Sequence, residues 1–149
     1  MTVYHQLLKV TNFQVTGLSQ LVANFPPSQA ISFHDTHSRL FRAISKEESE
    51  CKPDIASSHP CYLNMLAYPG MLEWLHASGF IEVKTEDSLN PWLMSFETLC
   101  ESDRDMLTQI AKYARNLMFV HHSLFTFVIG IYGHSVRIYH FDHAGVIAL

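Results

Sequence analysis

No block of lysine and arginine occurs in this chain of 149 residues, whose 10 basic side chains are outnumbered by 14 acidic ones for a formal net charge of −4. A protein that grips a nucleic-acid backbone usually shows a basic patch. The charge balance therefore points away from nucleic acid; a protein partner or self-association is the expectation. No apolar run approaches the ~18–20 residues that a membrane span needs, so no membrane partner is expected. The opening residues, Met1-Thr2-Val3-Tyr4-His5-Gln6, lack the basic start and apolar stretch of a secretory signal. An intracellular protein, cytoplasmic or nuclear, is the expectation. Cys-x-x-Cys is absent, and the three cysteines, Cys51, Cys61 and Cys100, are odd in number. That usage suggests reduced thiols rather than a disulfide framework or a zinc site. There is no internal repeat and no low-complexity tract.

What is present is core-forming material. Apolar residues make up 48% and charged residues 16%. The length suits one domain over residues 1–149, able to bury roughly 70% of its unfolded surface. Residues 1–50 read as a helical part ahead of the remainder, 52–149. Ten histidines stand out, among them His34-x-x-His37, the doublet His121-His122, and His134, His140 and His143. Their spacing is weak for a metal and reads as structural or surface histidine, with sensitivity between about pH 5 and 8.

The pattern predicts a helix over 17–25, capped by Thr16 and stopped by Pro26-Pro27. A second helix is predicted over 36–48, with Asp35 as cap and Leu40, Phe41 and Ile44 as its apolar stripe. A third, short helix follows Pro69-Gly70, with Met71, Leu72 and Leu75 buried and Gly79 as its stop. Strands are predicted over 80–84 and 92–99, separated by a polar loop over 85–90. Ser102 with Asp105 predicts the start of a long helix with aspartates in its first turn. Met106, Ile110, Tyr113 and Leu117 share one face of it, widened by Leu107, Ala114 and Met118, to an end near His121. A three-stranded meander closes the chain: 125–132, a turn at Gly133-His134, 136–141, a turn over 142–145 and a strand from Val146. The fold class expected is α/β (α+β), with helices on a mixed, mainly antiparallel sheet built from the strand at 92–99 and the meander. Ending inside an apolar strand suggests a truncated product or an edge that a partner covers.

Three motifs carry possible chemistry. Lys52-Pro53-Asp54-Ile55 precedes Glu97-Thr98-Leu99, and Gln109-x-x-x-Tyr113 follows on the long helix. In that order they resemble the PD-(D/E)xK nuclease superfamily. There an Asp and a Glu bind Mg²⁺, a Lys two residues on assists the attacking water, and one branch adds a Gln-x-x-x-Tyr helix. The resemblance implies Asp54 and Glu97 as metal ligands, Mg²⁺ as the one cofactor to consider, and Gln109 and Tyr113 as site residues. Leu99 occupies the lysine position on this reading, with Lys112 the substitute from the helix. A leucine neither donates a proton nor neutralises charge, so the expectation is a nuclease-like fold without activity. The plain alternative is that Asp54 caps a turn, Glu97 lies at a sheet edge, and Gln109 and Tyr113 pack.

The longer resemblance runs from Gln109 to Ala148. A Tyr113-Ala114-Arg115 helix, a Phe127-Val128-Ile129-Gly130 strand, Gly133 with Arg137, and a Phe141-Asp142-His143-Ala144-Gly145 turn follow one another. This looks like the region ahead of the catalytic lobe in the fungal-type protein kinase family. Lys52-Pro53-Asp54-Ile55, Trp92 and Glu97 match its upstream landmarks, so the resemblance spans residues 52–149. His143 departs from the family's usual arginine and puts an anion contact from this turn in doubt. The chain has no G-x-G-x-x-G, no V-A-I-K-type lysine, no H-R-D and no D-F-G. Phosphoryl transfer needs those parts, so no kinase activity is expected. The resemblance implies a non-catalytic accessory or regulatory module acting through protein contact. A shorter stretch, Pro69-Gly70 through Gly79-Phe80, is similar to the core of PUB domains, which bind C-terminal tails of AAA ATPases. Arg115 and Arg137 are candidates for an anion, with surface salt bridges as the plain alternative. Asp142 and His143 are the candidate binding residues of the last turn, where Asp142 with Gly145 shapes the backbone. Trp74 and Trp92 read as core.

Overall fold

The computed structural model describes residue 16 and residues 31–44, 50–59, 73–91 and 100–149. Six strands form one sheet in sequential order: β1 (Ser32–Asp35), β2 (Ile55–Ser58), β3 (Gly79–Lys84), β4 (Phe125–Tyr132), β5 (Ser135–Asp142) and β6 (Val146–Ala148). All neighbours are antiparallel except β3 and β4. Parallel strands need a long crossover, and it contains α2 (Glu101–His121). A short helix, α1 (Glu73–His76), precedes β3, and a 3₁₀ turn follows it at Asp87–Leu89. The fold is thus α+β with a mixed, mainly antiparallel sheet, a helix packed on it and a C-terminal meander.

α2 forms where its periodicity predicts. Met106, Ile110, Tyr113, Ala114, Leu117 and Met118 are buried. They meet Ala56, Phe80, Val128, Tyr132, Tyr139 and Phe141, the alternate residues of the strands, in one core. Phe41, Trp74 and Phe80 pack edge to face with centroids 5.2 Å apart, and Tyr113 lies 5.5 Å from Phe80. The opposite sheet face has a smaller cluster of Ile55, Ile81 and Val83 with Phe33, Ile129 and Ile131 against it.

Several expectations are corrected. Residues 36–44 are not helical: Phe41 makes an isolated antiparallel bridge with Cys51, and Asp35 ends β1 instead of capping a helix. Tertiary pairing explains this, since the extended backbone drops Phe41 into the core while Leu40 faces solvent at 45% exposure. Leu75 is exposed and Trp74 takes the core position of α1 instead, with its indole N–H donating to the Arg42 carbonyl at 2.8 Å. Gly79 opens β3 rather than stopping α1. The start of α2 lies at Cys100, not Ser102. The Asp103 carboxylate accepts the Cys100 N–H at 3.0 Å and satisfies the exposed donor there. Thr16, the expected cap, is itself helical. The predicted helix over 17–25, the strand over 92–99 and most of the PUB-like stretch lie outside the described residues.

Two glycines answer to geometry. Gly133 has φ of 55° in the β4–β5 turn, and a Cβ there would stand 2.8 Å from the Asp87 nitrogen. The Asp87 carboxylate accepts from the His134 N–H at 3.0 Å and the Ser135 hydroxyl at 3.1 Å, tying this turn to the segment after β3. Gly130 carries the Tyr132 ring over it, so a Cβ would fall 2.5 Å from that ring.

Candidate functional site

Strand alternation decides which side chains meet. In β3, Phe80 faces the α2 core while Ile81 and Val83 face the opposite cluster, so Glu82 and Lys84 share the α2 side. Glu82 is 1% exposed, within a core of aromatic residues. The register pairs Ile55 with Ile81, which brings Asp54, one residue before β2, alongside Glu82. The Asp54 Oδ2 accepts the Val83 N–H at 2.8 Å, and Thr36 fastens the same segment through its N–H to the Asp54 carbonyl at 2.9 Å. Lys84 Nζ donates to Glu82 Oε1 and stands 3.9 Å from Asp54 Oδ2.

The helix completes the group. The Tyr113 hydroxyl donates to Glu82 Oε2 at 3.3 Å, and Gln109 Nε2 donates to the Tyr113 hydroxyl oxygen. Gln109 and Tyr113 thus lie one turn apart on α2, with Gln109 bonded to the hydroxyl that Tyr113 turns towards Glu82. Further along the sheet, Glu82 pairs with Gly130 and Gly130 with Arg137. The two carboxylates, a residue without a side chain and a guanidinium thus lie on one cross-strand row. The Tyr132 ring fills the gap over Gly130, with its hydroxyl 2.8 Å from that of Tyr139.

Burial and like charge set the electrostatics. Desolvation first and the Asp54 charge second raise the Glu82 pKa from 4.5 to about 7, against the pull of Lys84 and Tyr113. Desolvation also raises Asp54, opposed chiefly by Lys84. Burial and the Glu82 charge push the Tyr113 hydroxyl well above its ordinary range, so it remains a donor. Two buried carboxylates with one lysine favour a proton or an added cation between them. Among the described residues no group of three or more His, Cys, Asp or Glu gathers at one point. The donor set that does fit is two hard carboxylates, which suits Mg²⁺ or Mn²⁺ with water filling the remaining positions.

Of the residues expected from the sequence, Asp54, Gln109 and Tyr113 come together. Glu97 and Leu99 lie outside the described residues. The carboxylate and lysine standing beside Asp54 are Glu82 and Lys84, which the motif reading passed over. The signal was present, because Glu82-Val83-Lys84 has the E-x-K spacing and lies on a predicted strand. Lys112 lines clefts on the outer side of α2. Arg137 is half-buried on β5. Asp142 shapes its turn by accepting the Ala144 and Gly145 N–H groups at 2.7 and 2.9 Å, and those bonds hold its carboxyl below the ordinary range. His143 is exposed beside it. His34 and His37 diverge, the first to the Ser58 hydroxyl at 2.9 Å and the second to Asp35. No helix among the described residues is long and apolar enough to cross a membrane. Compared with family models, curated proteins and solved structures, the chain matches none.

Proposed function

We propose that this chain is a divalent-metal-dependent phosphodiesterase of the PD-(D/E)xK type acting on nucleic acid, with Asp54 and Glu82 as metal ligands and Lys84 as the site's cation. One observation carries the reading. Two carboxylates and a lysine in D…E-x-K order share one face of neighbouring strands, and a Gln-x-x-x-Tyr helix orients the glutamate. A divalent cation held there would polarise a phosphoryl oxygen and acidify a water. Lys84 holds positive charge against both carboxylates, where it can offset negative charge developing on an attacked phosphate. Tyr113, kept protonated, fixes the rotation of the Glu82 carboxylate. Kinase activity is not proposed.

The test is incubation of a labelled oligonucleotide with the full chain in Mg²⁺ or Mn²⁺. Cleavage is expected, reduced at least ~100-fold in Asp54→Asn, Glu82→Gln and Lys84→Ala, the scale of losing a charge-stabilising group. Tyr113→Phe should cost about tenfold, the worth of one positioning hydrogen bond. Intact DNA and RNA under both metals would overturn the reading.

A second reading, a non-catalytic accessory or regulatory module similar to the N-terminal region of fungal-type kinases, is favoured by a different surface. Phe125, Phe127, Ile138, Ile147 and Leu149 are 41–68% exposed. By alternation they share the sheet face away from α2, an apolar patch of the kind that marks protein contact. This reading expects a partner or a second copy to mask that face. A strictly monomeric protein whose Ile147→Lys variant behaves identically in pull-downs and light scattering would count against it.

A further inference from the structure

Strands β4 to β6 have two unlike faces. Val128, Tyr132, Tyr139 and Phe141 turn to the α2 core and are buried. Alternation sends the residues between them to the other face. These are Phe125, Phe127, Ile129 and Ile131 on β4, Val136, Ile138, His140 and Asp142 on β5, and Ile147 on β6. Register sets them in rows. Phe127, His140 and Ile147 stand side by side, as do Ile129, Ile138 and Leu149, and then Ile131 and Val136. The rings of Phe125, Phe127 and His140 cluster with centroids 5.0–5.8 Å apart. One end of the face is therefore aromatic and the other branched aliphatic.

Charge is scarce on it. Among the described residues, Asp142 is the one carboxylate that these strands turn to this face, and no lysine or arginine joins it. The Asp142 carboxylate already accepts the Ala144 and Gly145 N–H groups. Area is not scarce. Phe125, Phe127, Val136, Ile138, Ile147 and Leu149 are 41–68% exposed. At that exposure each leaves roughly 100 Å² in water, about half of what a fully buried aromatic side chain removes. The patch is then on the order of 600 Å², at the top of the range for a monomer. Two such patches in contact bury about 1,200 Å², the lower bound for a stable, specific interface.

We infer that this face is the contact between two copies of the chain, packed sheet on sheet about a two-fold axis that runs between the sheets and across the strands. A face nearly free of charge can meet itself without repulsion, as an isologous contact requires. The axis sets the facing strands antiparallel, about 10 Å apart. It lays the ring cluster of each copy on the branched aliphatic end of the other, so the row of Phe127 opposes the row of Ile138. The inference rests on the protein-contact reading of this face and names the partner. Glu82 and Lys84 lie on the other side of the sheet and take no part. An interface of this small area has a dissociation constant of roughly micromolar order, so the dilute chain is a monomer with the face open.

The test is light scattering with sedimentation equilibrium on the full chain, from about 1 to 300 µM so as to span that constant. The mass is expected to rise from one chain to two and stop there. Ile138→Lys and Phe127→Glu should each weaken pairing at least ~30-fold, the scale of an uncompensated charge at an interface. Mixed in equal amounts, these two variants should pair again, because the axis sets the two substituted positions against each other and leaves the second Phe127–Ile138 contact intact. Phe119→Glu, on the exposed side of α2, should leave the mass alone. Circular dichroism checks that each variant is folded. A single-chain mass throughout, growth beyond two chains, a mixture that stays monomeric or a dimer broken by Phe119→Glu would each overturn the inference. A monomer that captures another protein in pull-downs, and loses it in Ile138→Lys, would overturn the second copy and keep the protein-contact reading. A monomer indifferent to Ile138→Lys in both measurements would sink the two together.

Discussion

The two halves of the sheet break opposite rules. On β2 and β3, ionisable groups lie inside: Glu82 is 1% exposed and Asp54 7%. On β4 to β6, apolar side chains lie outside, with Phe125 53% exposed and Ile147 61%. Burying a carboxylate costs free energy unless charge or hydrogen bonds offset it. Exposing an aromatic ring forgoes about 25 cal/mol for each Å² that burial would have removed from water. A chain selected for stability alone would exchange these residues. Departures of this kind are expected at sites retained for function. On the proposed readings, the first half departs as a reaction centre and the second as a contact surface.

The comparison can be broken most directly with one substitution made in both halves. Phe80 is enclosed by Phe41, Trp74 and Tyr113, so Phe80→Ala should cost about 3–5 kcal/mol in urea denaturation. Phe127 is 47% exposed, and Phe127→Ala should cost less than about 1 kcal/mol. Equal losses would mean that the outer face is packed in solution.

A smaller contrast uses two glycines. Gly130→Ala drives a methyl into the pinned Tyr132 ring and should destabilise by about 1–3 kcal/mol. Gly145→Ala meets nothing within 4 Å and should be close to neutral. A tolerated Gly130→Ala would show that the tyrosine pair moves freely.

The third effect has the opposite sign. The folded pKa of Glu82, about 7, lies above its unfolded value of 4.5. The native state therefore holds this proton more tightly, and stability falls as pH rises between those two values. Glu82→Gln lacks that loss. In EDTA it should be more stable than the natural protein above pH 7, by on the order of 2 kcal/mol. The gain should shrink towards zero below about pH 4.5. Destabilisation at pH 8 would show instead that the carboxylate is held mainly by its pairing with Lys84. The smallest change expected is Ile147→Lys, within about 0.5 kcal/mol on stability, with its effect seen only in association.

Much of the second half was legible in the sequence. The apolar spacing of α2 and the Gly133 and Asp142-to-Gly145 turns mark elements whose contacts are largely local, and the structure follows them. The stretch before residue 60 was read less well. Phe41 looks like part of a helical stripe, but its bridge to Cys51 spans ten residues, a pairing that local spacing cannot reveal. The site was half legible for the same reason. Gln109 and Tyr113 are one turn apart on a helix and could be seen together. The partners of Asp54 depend on which strand lies beside it.

By itself the sequence determined the periodic elements, the mixed α+β class and the presence of separated carboxylates, because side-chain alternation and helical spacing are local properties. Only the tertiary structure decided that β2 lies against β3, which sets Asp54 beside Glu82 and Lys84, and that α2 brings the Tyr113 hydroxyl to the Glu82 carboxylate. It also set Lys112, Arg115 and His143 around one cleft between α2 and the β5–β6 turn. Charge and reactivity depend on distances of a few ångströms, and strand pairing between residues far apart in the chain is what sets those distances.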